Sequence, residues 1–202
     1  GDQGRELTEG LATFAILSYL YFPQYDFPEL RAALSSAMTQ GDPRELLKLL
    51  DQRISREPEG RYTDNSSDAF YAVSCLDLPV TQSVDQVREF AERLAISAPT
   101  FGKSLGWGVL ACKDWPYSAQ TVITITPNAS APVMVVTAEN DPATPAKWAT
   151  DVAVKLGNAE LVIWEGGYNH TAYLEGSDCV TDRVDAYLLE GAISPGTTTA
   201  CN

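Results

Sequence analysis

The feature that most constrains the fold is a change of hydrophobic pattern near Pro132. Two short apolar, β-branched runs follow it, each succeeded by a helical segment: PVMVVTA, TPAKWATDVAVKLG, AELVIWEG and DCVTDRVDAYLLEG. Runs of this kind are typical of strands that are buried on both faces of a parallel sheet. The alternation therefore predicts a βαβα unit of the α/β class. The tail AISPGTTTACN is predicted to be a loop that Cys201 tethers.

Up to about residue 98 the hydrophobic periodicity is helical instead. Five segments fit helices, and none fits a strand: LTEGLATFAILSYLY, DFPELRAALSSAM, GDPRELLKLLDQRI, SSDAFYAVSCLD and SVDQVREFAERLAI. Asp26 and Asp42 are predicted N-caps, and Pro43 is predicted to occupy the first helical position. We therefore expect an all-helical domain over residues 1–120 and an α/β domain over residues 121–202.

The net charge of the chain limits the classes of partner that it is expected to bind. Fourteen Lys and Arg residues against 27 Asp and Glu residues give a net charge of −13, without a basic cluster. This balance argues against nucleic acid or an anionic membrane surface as a partner. No apolar run approaches the ~20 residues that a membrane span requires, and the start GDQGRELTEG has no signal-peptide pattern. We expect a soluble, acidic protein.

Four cysteines, Cys75, Cys112, Cys179 and Cys201, allow three disulfide pairings. We expect Cys75 to pair with Cys112 and Cys179 with Cys201, because each pair then lies within one composition zone. There is no C-x-x-C spacing and only one histidine, so we predict neither a metal nor a cofactor. Disulfides persist outside the reducing cytosol, which predicts a secreted protein. The alternative is four reduced, buried thiols.

The stretch GKSLG, residues 102–106, matches the G-x-S-x-G pattern of the nucleophile elbow, in which a strand-to-helix turn exposes a serine. An apolar strand must precede such a turn. The residues before Ser104 read ERLAISAPTFGK, with a proline and a lysine where a buried strand should lie. We therefore predict that Ser104 is not a nucleophile and lies in a glycine-rich loop that leads to Cys112.

Two residues with the chemistry of a hydrolase follow the predicted strands. Asp141 lies just past the first strand, and His170 lies in the loop after the second. Because functional groups gather at the carboxyl ends of parallel strands, we expect both side chains to meet in one crevice. Imidazole can take a proton from a serine and return it to a leaving group, and a carboxylate can orient the imidazole. The alternatives are a helix-capping aspartate and a structural histidine.

A wider set of motifs surrounds these two residues. It comprises D-P-x-T-P at Asp141–Pro145, G-x-x-H-T ending in His170 and Thr171, Cys179-Val180, Tyr187-Leu188, Gly191, a final cysteine, and upstream LYFP, GDPRELLKLLDQR, AVSCLDLP and CKDWP. Together they resemble the helical lid and C-terminal region of secreted bacterial tripeptidyl aminopeptidases and their proline-iminopeptidase-like relatives, which are α/β-hydrolases. One departure is Asn169, which stands where a glycine usually precedes the histidine.

The resemblance implies a serine exopeptidase that removes N-terminal residues or short peptides. It assigns Asp141 as the triad acid and His170 as the triad base. The family's nucleophilic serine lies in the sheet half before the lid, and nothing in this sequence aligns with it. The resemblance therefore implies a lid plus the last third of the enzyme, inactive without an N-terminal half that carries the serine.

Three residues of the helical zone are weaker candidates for substrate binding. Asp77 could bind the α-ammonium of a peptide, although a solvated aspartate at a helix end is the simpler interpretation. Trp107 and Trp115 could line the substrate crevice or pack against the disulfide at Cys112. Two other functions stay open, a secreted esterase with the same triad and a binding fragment without catalysis.

Overall fold

The computed structural model describes residues 4–117 and 131–202, which divide into two compact units. The first unit comprises the described parts of Gly1–Ser18 and Leu30–Val122, and the second comprises those of Tyr19–Glu29 and Ile123–Asn202. The predicted boundary between residues 120 and 121 lies outside the described residues. None of the helices in the described residues is both long and apolar enough to cross a bilayer.

Helices make up the regular structure of residues 4–117. They are α1 (Glu9–Ser18), α2 (Pro23–Ser35), a π-helical turn (Ser36–Gln40), α3 (Arg44–Arg53), α4 (Ser66–Asp77), α5 (Val84–Ser97), α6 (Gly102–Gly108) and a 3₁₀ turn (Val109–Cys112). Leucines of α3 are among the largest buried side chains of the first unit: Leu46, Leu47, Leu49 and Leu50. The helix α3 lies against α1.

Two of the predicted helix starts need correction. The helix predicted to start after Asp26 begins earlier, at Pro23, because proline suits the first position, where no backbone N–H is needed. Asp26 lies in its first turn and does not cap it. α3 begins at Arg44, one residue after the predicted Pro43, and the Asp42 carboxylate accepts the Arg44 backbone N–H at 3.1 Å.

The GKSLG stretch forms the helix α6, so the predicted loop is wrong. Its two glycines lie four residues apart, on the same helix face, and that face lies against α5. A Cβ on Gly102 would lie 2.2 Å from the Leu94 carbonyl oxygen, and one on Gly106 would lie 2.6 Å from Cα of Ala91. The glycines therefore serve the close approach of two helices, and the element before Ser104 is a helix rather than a strand.

The second unit contains a parallel sheet of three strands in the order β1 (Val133–Ala138), β2 (Ala159–Trp164), β3 (Thr198–Cys201). α7 (Ala146–Leu156) connects β1 to β2, and α8 (Asp178–Glu190) lies between β2 and β3. Val133 aligns with Ala159, and Leu161 aligns with Thr198. The βαβα order agrees with the sequence prediction.

The end of the tail was wrongly predicted as a loop. Residues 198–201 pair with β2 because that strand has a free edge, although TTAC is too short and polar to stand out as a strand. Cys201 at the end of β3 is disulfide-bonded to Cys179 in the first turn of α8. The other disulfide joins Cys75 of α4 to Cys112, so both predicted disulfides are present.

A buried ion pair connects the amino end of the sheet to α8. Glu160 of β2 is fully buried, and its carboxylate accepts hydrogen bonds from the guanidinium of Arg183, including one from Nε at 2.7 Å. The Ser194 backbone N–H and the Thr199 hydroxyl donate to the same carboxylate at 2.7 and 2.9 Å. Burial raises the pKa of Glu160, but these hydrogen bonds outweigh it and lower the pKa below its usual range.

Candidate active site

Asp141 and His170 meet at the carboxyl ends of β1 and β2. The backbone N–H of Asn140 donates to the Gly167 carbonyl at 2.8 Å, which ties the two strand ends together. Gly167 allows this turn because a Cβ there would lie 2.3 Å from the ring of Trp164. Both Asp141 carboxylate oxygens then lie 3.1 Å from Nδ1 of His170. The sequence thus correctly anticipated that the two side chains meet.

A tight turn holds the Asp141 carboxylate. The backbone N–H groups of Ala143 and Thr144 both donate to Oδ1 at 2.8 Å, and the Thr144 hydroxyl donates to Oδ2 at 2.9 Å. Burial raises the pKa of Asp141, but these donors together with His170 hold it below its ordinary value. Asp141 is therefore the ionised partner of the imidazole. It does not cap α7, whose N-cap residue is Pro145.

The imidazole is more accessible than the carboxylate. The His170 side chain keeps 32% of its surface exposed, against 6% for Asp141. Nδ1 faces the carboxylate, so Nε2 is the nitrogen that can exchange a proton with another group. A partly exposed imidazole oriented by a buried carboxylate has the chemistry that a general base needs.

Contacts that the sequence did not indicate surround His170. Its backbone N–H donates to the Tyr21 carbonyl at 2.8 Å, and the Tyr21 and His170 rings make a T-shaped contact with centroids 4.8 Å apart. Tyr21 and Gln24, at the start of the chain, come to the histidine loop only through the tertiary fold. Thr144 belongs to the quoted D-P-x-T-P motif, so its contact with Asp141 had a local signal.

Asn169 is fully buried, and its Nδ2 donates to Glu175 Oε2 at 3.0 Å. The described non-glycine residues with positive φ are Ser55, Asp114 and Leu174. Asn169 therefore replaces glycine without needing left-handed backbone angles.

The weaker candidates all lie in the first unit. Asp77 is an exposed residue at the end of α4, and Trp107 lies half-buried on α6. Trp115 follows the 3₁₀ turn, where its backbone N–H donates to the Cys112 carbonyl at 3.3 Å. Their roles in substrate binding stay predictions. Among residues 4–117 and 131–202, no cluster of His, Cys, Asp and Glu side chains could hold a metal ion.

Comparisons with known proteins identify the family of the chain. A family model described as TAP-like protein matches residues 98–201. Carboxylesterase B of Mycobacterium tuberculosis is 34% identical over 199 residues, which cover 95% of this chain and 37% of that protein. Serine protease Hip1 of the same species is 33% identical over 197 residues, which cover 95% and 36%.

A more distant relative is tripeptidyl aminopeptidase of Streptomyces lividans, which is 26% identical over 161 residues, covering 79% of this chain and 30% of that protein. The chain thus spans little more than a third of the length of the curated relatives that it matches. The family match includes both β-strands that position Asp141 and His170, and the resemblance stated from the motifs is confirmed. The chain belongs to the TAP-like family of α/β-hydrolases.

Proposed function

We propose that this chain is the lid and the Asp/His-bearing C-terminal portion of a serine exopeptidase that releases N-terminal residues or short peptides. The observation that carries the proposal is the hydrogen-bonded pair of Asp141 and His170, with Nδ1 3.1 Å from both carboxylate oxygens. The names serine protease and tripeptidyl aminopeptidase among the relatives support a peptidase. The described residues of the first unit would form the lid.

In the proposed reaction, a serine from the N-terminal half attacks the carbonyl carbon of the scissile peptide bond. Nε2 of His170 takes the hydroxyl proton, and Asp141 holds the resulting imidazolium through Nδ1–H. The imidazolium then gives its proton to the leaving amine, which leaves an acyl-enzyme. Water then attacks that ester while Nε2 of His170 takes a proton from the water, and the imidazolium returns this proton to the serine oxygen as the acid product leaves. Backbone N–H groups of the N-terminal half would stabilise the oxyanion.

Features of the second unit support a missing sheet half. Within the described residues β1 pairs on one edge only, with β2. The helices beside the sheet also carry exposed apolar side chains, Val154 at 75%, Leu188 at 65% and Leu189 at 83%. A free strand edge and exposed apolar residues are features that a protein normally covers. Ser104 lies on α6, without the preceding strand that an elbow needs, so we propose that the nucleophile lies outside this chain.

A fluorophosphonate probe, which labels base-activated serines, tests this proposal in the full-length protein that contains this chain. We expect label on one serine outside these 202 residues, and no label after His170→Ala. Label on Ser104 that His170→Ala abolishes would contradict the proposal, because the chain would then hold its own nucleophile. No labelled serine anywhere would favour the binding fragment.

The second candidate is an esterase, which the name of the relative carboxylesterase B favours. Substrate assays distinguish the two functions. For the exopeptidase, we expect kcat/KM to be higher for unblocked peptide anilides than for the same peptides with an acetylated amino terminus. Turnover of p-nitrophenyl esters without any release of anilide from unblocked peptides would instead identify an esterase.

Two disulfides also support a location outside the reducing cytosol, and we propose that the enzyme is secreted. Fractionation of the source cells, with an antibody against this chain, tests this location. Recovery in the cytosolic fraction with four free thiols would contradict it.

A further inference from the structure

Resting on the proposed function, we propose that the segment Tyr21–Gln24 is a positioning element for the catalytic base, and that Tyr21 and Glu175 fix the orientation of His170. This segment runs from the loop after α1 into the first turn of α2. It belongs to the second unit, together with the histidine loop.

The first contact acts on the backbone and ring of His170 directly. The Tyr21 carbonyl accepts the His170 N–H at 2.8 Å. The Tyr21 ring stands at 81° to the imidazole, with 4.8 Å between the centroids. Asp141 holds the imidazole only through Nδ1, which leaves the ring free to tilt about that hydrogen bond. A perpendicular aromatic ring restricts this tilt and thereby fixes the direction of Nε2.

The second contact fixes the loop that carries the histidine. Oε2 of Glu175 accepts Nδ2 of Asn169 at 3.0 Å and Nε2 of Gln24 at 3.1 Å. One carboxylate oxygen thus joins the residue before His170 to the first turn of α2, across 151 positions of sequence between Gln24 and Glu175. Because Asn169 is fully buried, shortening Glu175 removes the acceptor of a buried amide N–H, which costs free energy.

These contacts make no use of the substrate, so their loss should change the chemical step and leave substrate binding intact. A displacement of a catalytic group by a fraction of an ångström already reduces the rate of proton transfer. We therefore expect a lower kcat at constant KM.

The test uses the full-length enzyme with the variants Tyr21→Leu and Tyr21→Phe. Tyr21→Leu should lower kcat about 3- to 10-fold with KM unchanged within twofold, and the rate of fluorophosphonate labelling should fall by the same factor. Tyr21→Phe keeps the ring and should restore kcat to within twofold of the wild type. The matched control is Tyr25→Leu, since Tyr25 directly follows this segment in α2 and has 65% of its surface exposed.

Glu175→Ala and Glu175→Gln keep the proposal testable if Tyr21→Leu does not fold. Glu175→Ala should lower kcat and the labelling rate by a similar 3- to 10-fold, and Glu175→Gln, which keeps an acceptor oxygen, should recover most of both. Equal kcat in Tyr21→Leu and Tyr25→Leu, or equal kcat in Glu175→Ala and the wild type, would overturn the positioning role. Failure of the proposed function is a separate result, because it would appear as an unlabelled wild-type enzyme.

Discussion

The two ends of the parallel sheet each hold a buried carboxylate that is hydrogen-bonded to a basic side chain. At the amino end, Glu160 accepts hydrogen bonds from Arg183, Ser194 and Thr199 and has no exposed surface. At the carboxyl end, Asp141 accepts two backbone N–H groups and faces His170, which is 32% exposed. In both cases hydrogen bonds lower the pKa of the acid.

The difference lies in the basic partner. An arginine does not release its proton, and the hydrogen bond to Glu160 raises the pKa of Arg183 further. A neutral imidazole has one ring nitrogen that donates and one that accepts, so it can both take and give a proton. The carboxylate that holds a guanidinium is part of the fold's interior, whereas the one that holds a partly exposed imidazole is the one that would support proton transfer in the proposed function.

The largest expected effect is the fall in kcat when the imidazole at the carboxyl end of the sheet is removed. His170→Ala in the full-length enzyme should lower kcat by about 10⁵-fold or more, because the members of a triad act as a unit. The melting temperature should stay within a few degrees, since the side chain is partly exposed. Steady-state kinetics and thermal unfolding of the same preparation measure both. A variant that retains a tenth of the wild-type kcat would remove His170 from the mechanism.

The next effect is loss of charge on Asp141. Asp141→Asn keeps the size of the side chain but presents no anion to Nδ1, so the imidazole takes an unsuitable tautomer and its cation is not stabilised. We expect kcat to fall by about 10⁴-fold. A fall in kcat of less than tenfold, measured in the same assay, would show that catalysis does not need the negative charge of Asp141.

Breaking the ion pair at the amino end should change stability and leave catalysis intact. Glu160→Gln leaves the Arg183 guanidinium without its carboxylate, and we expect a loss of about 3 kcal/mol in the free energy of unfolding. Urea unfolding measures the loss, with Glu190→Gln, an exposed glutamate at the end of α8, as the matched control. The kcat per folded molecule should not change. A large fall in kcat at full stability would contradict the structural role.

The smallest effect is the dependence of this stability difference on pH. A carboxyl group whose pKa is lower in the folded state stabilises the fold above its unfolded pKa, about 4.3 for glutamate, and loses that contribution as the pH falls through the folded pKa. The gap in unfolding free energy between the wild type and Glu160→Gln should therefore be constant above about pH 5 and narrow below about pH 4. A gap that widens in acid would contradict the lowered pKa of Glu160.

Local patterns accounted for much of this fold. The strand-like runs before Asp141 and His170 predicted a parallel βαβ connection, and with it the meeting of the two side chains. These predictions succeed because the apolar pattern of a strand or helix is set by residues within a few positions of one another, and a single sequence shows it directly. The start of α5 had a similar signal, since Ser83 and Gln86 form a capping box.

The remaining features depend on residues far apart in the chain. The polar run TTAC becomes β3 only because β2 offers it an edge, and the glycines of GKSLG bring α6 onto α5 rather than exposing a serine. A glutamate within the apolar run AELVIWEG was the one visible hint of the buried pair with Arg183.

What the sequence by itself determined is the class of fold and the residues at the strand ends, because both follow from residue type and short spacing. The disulfide pairing followed from the two composition zones, since four cysteines alone allow three pairings. Only the tertiary structure decided which distant groups hold those residues in place. The contacts of His170 with Tyr21, and of Glu175 with Gln24 and Asn169, have no periodicity or spacing to reveal them. They form when folding brings distant segments to one strand end, and contacts of that kind leave no local trace in a single sequence.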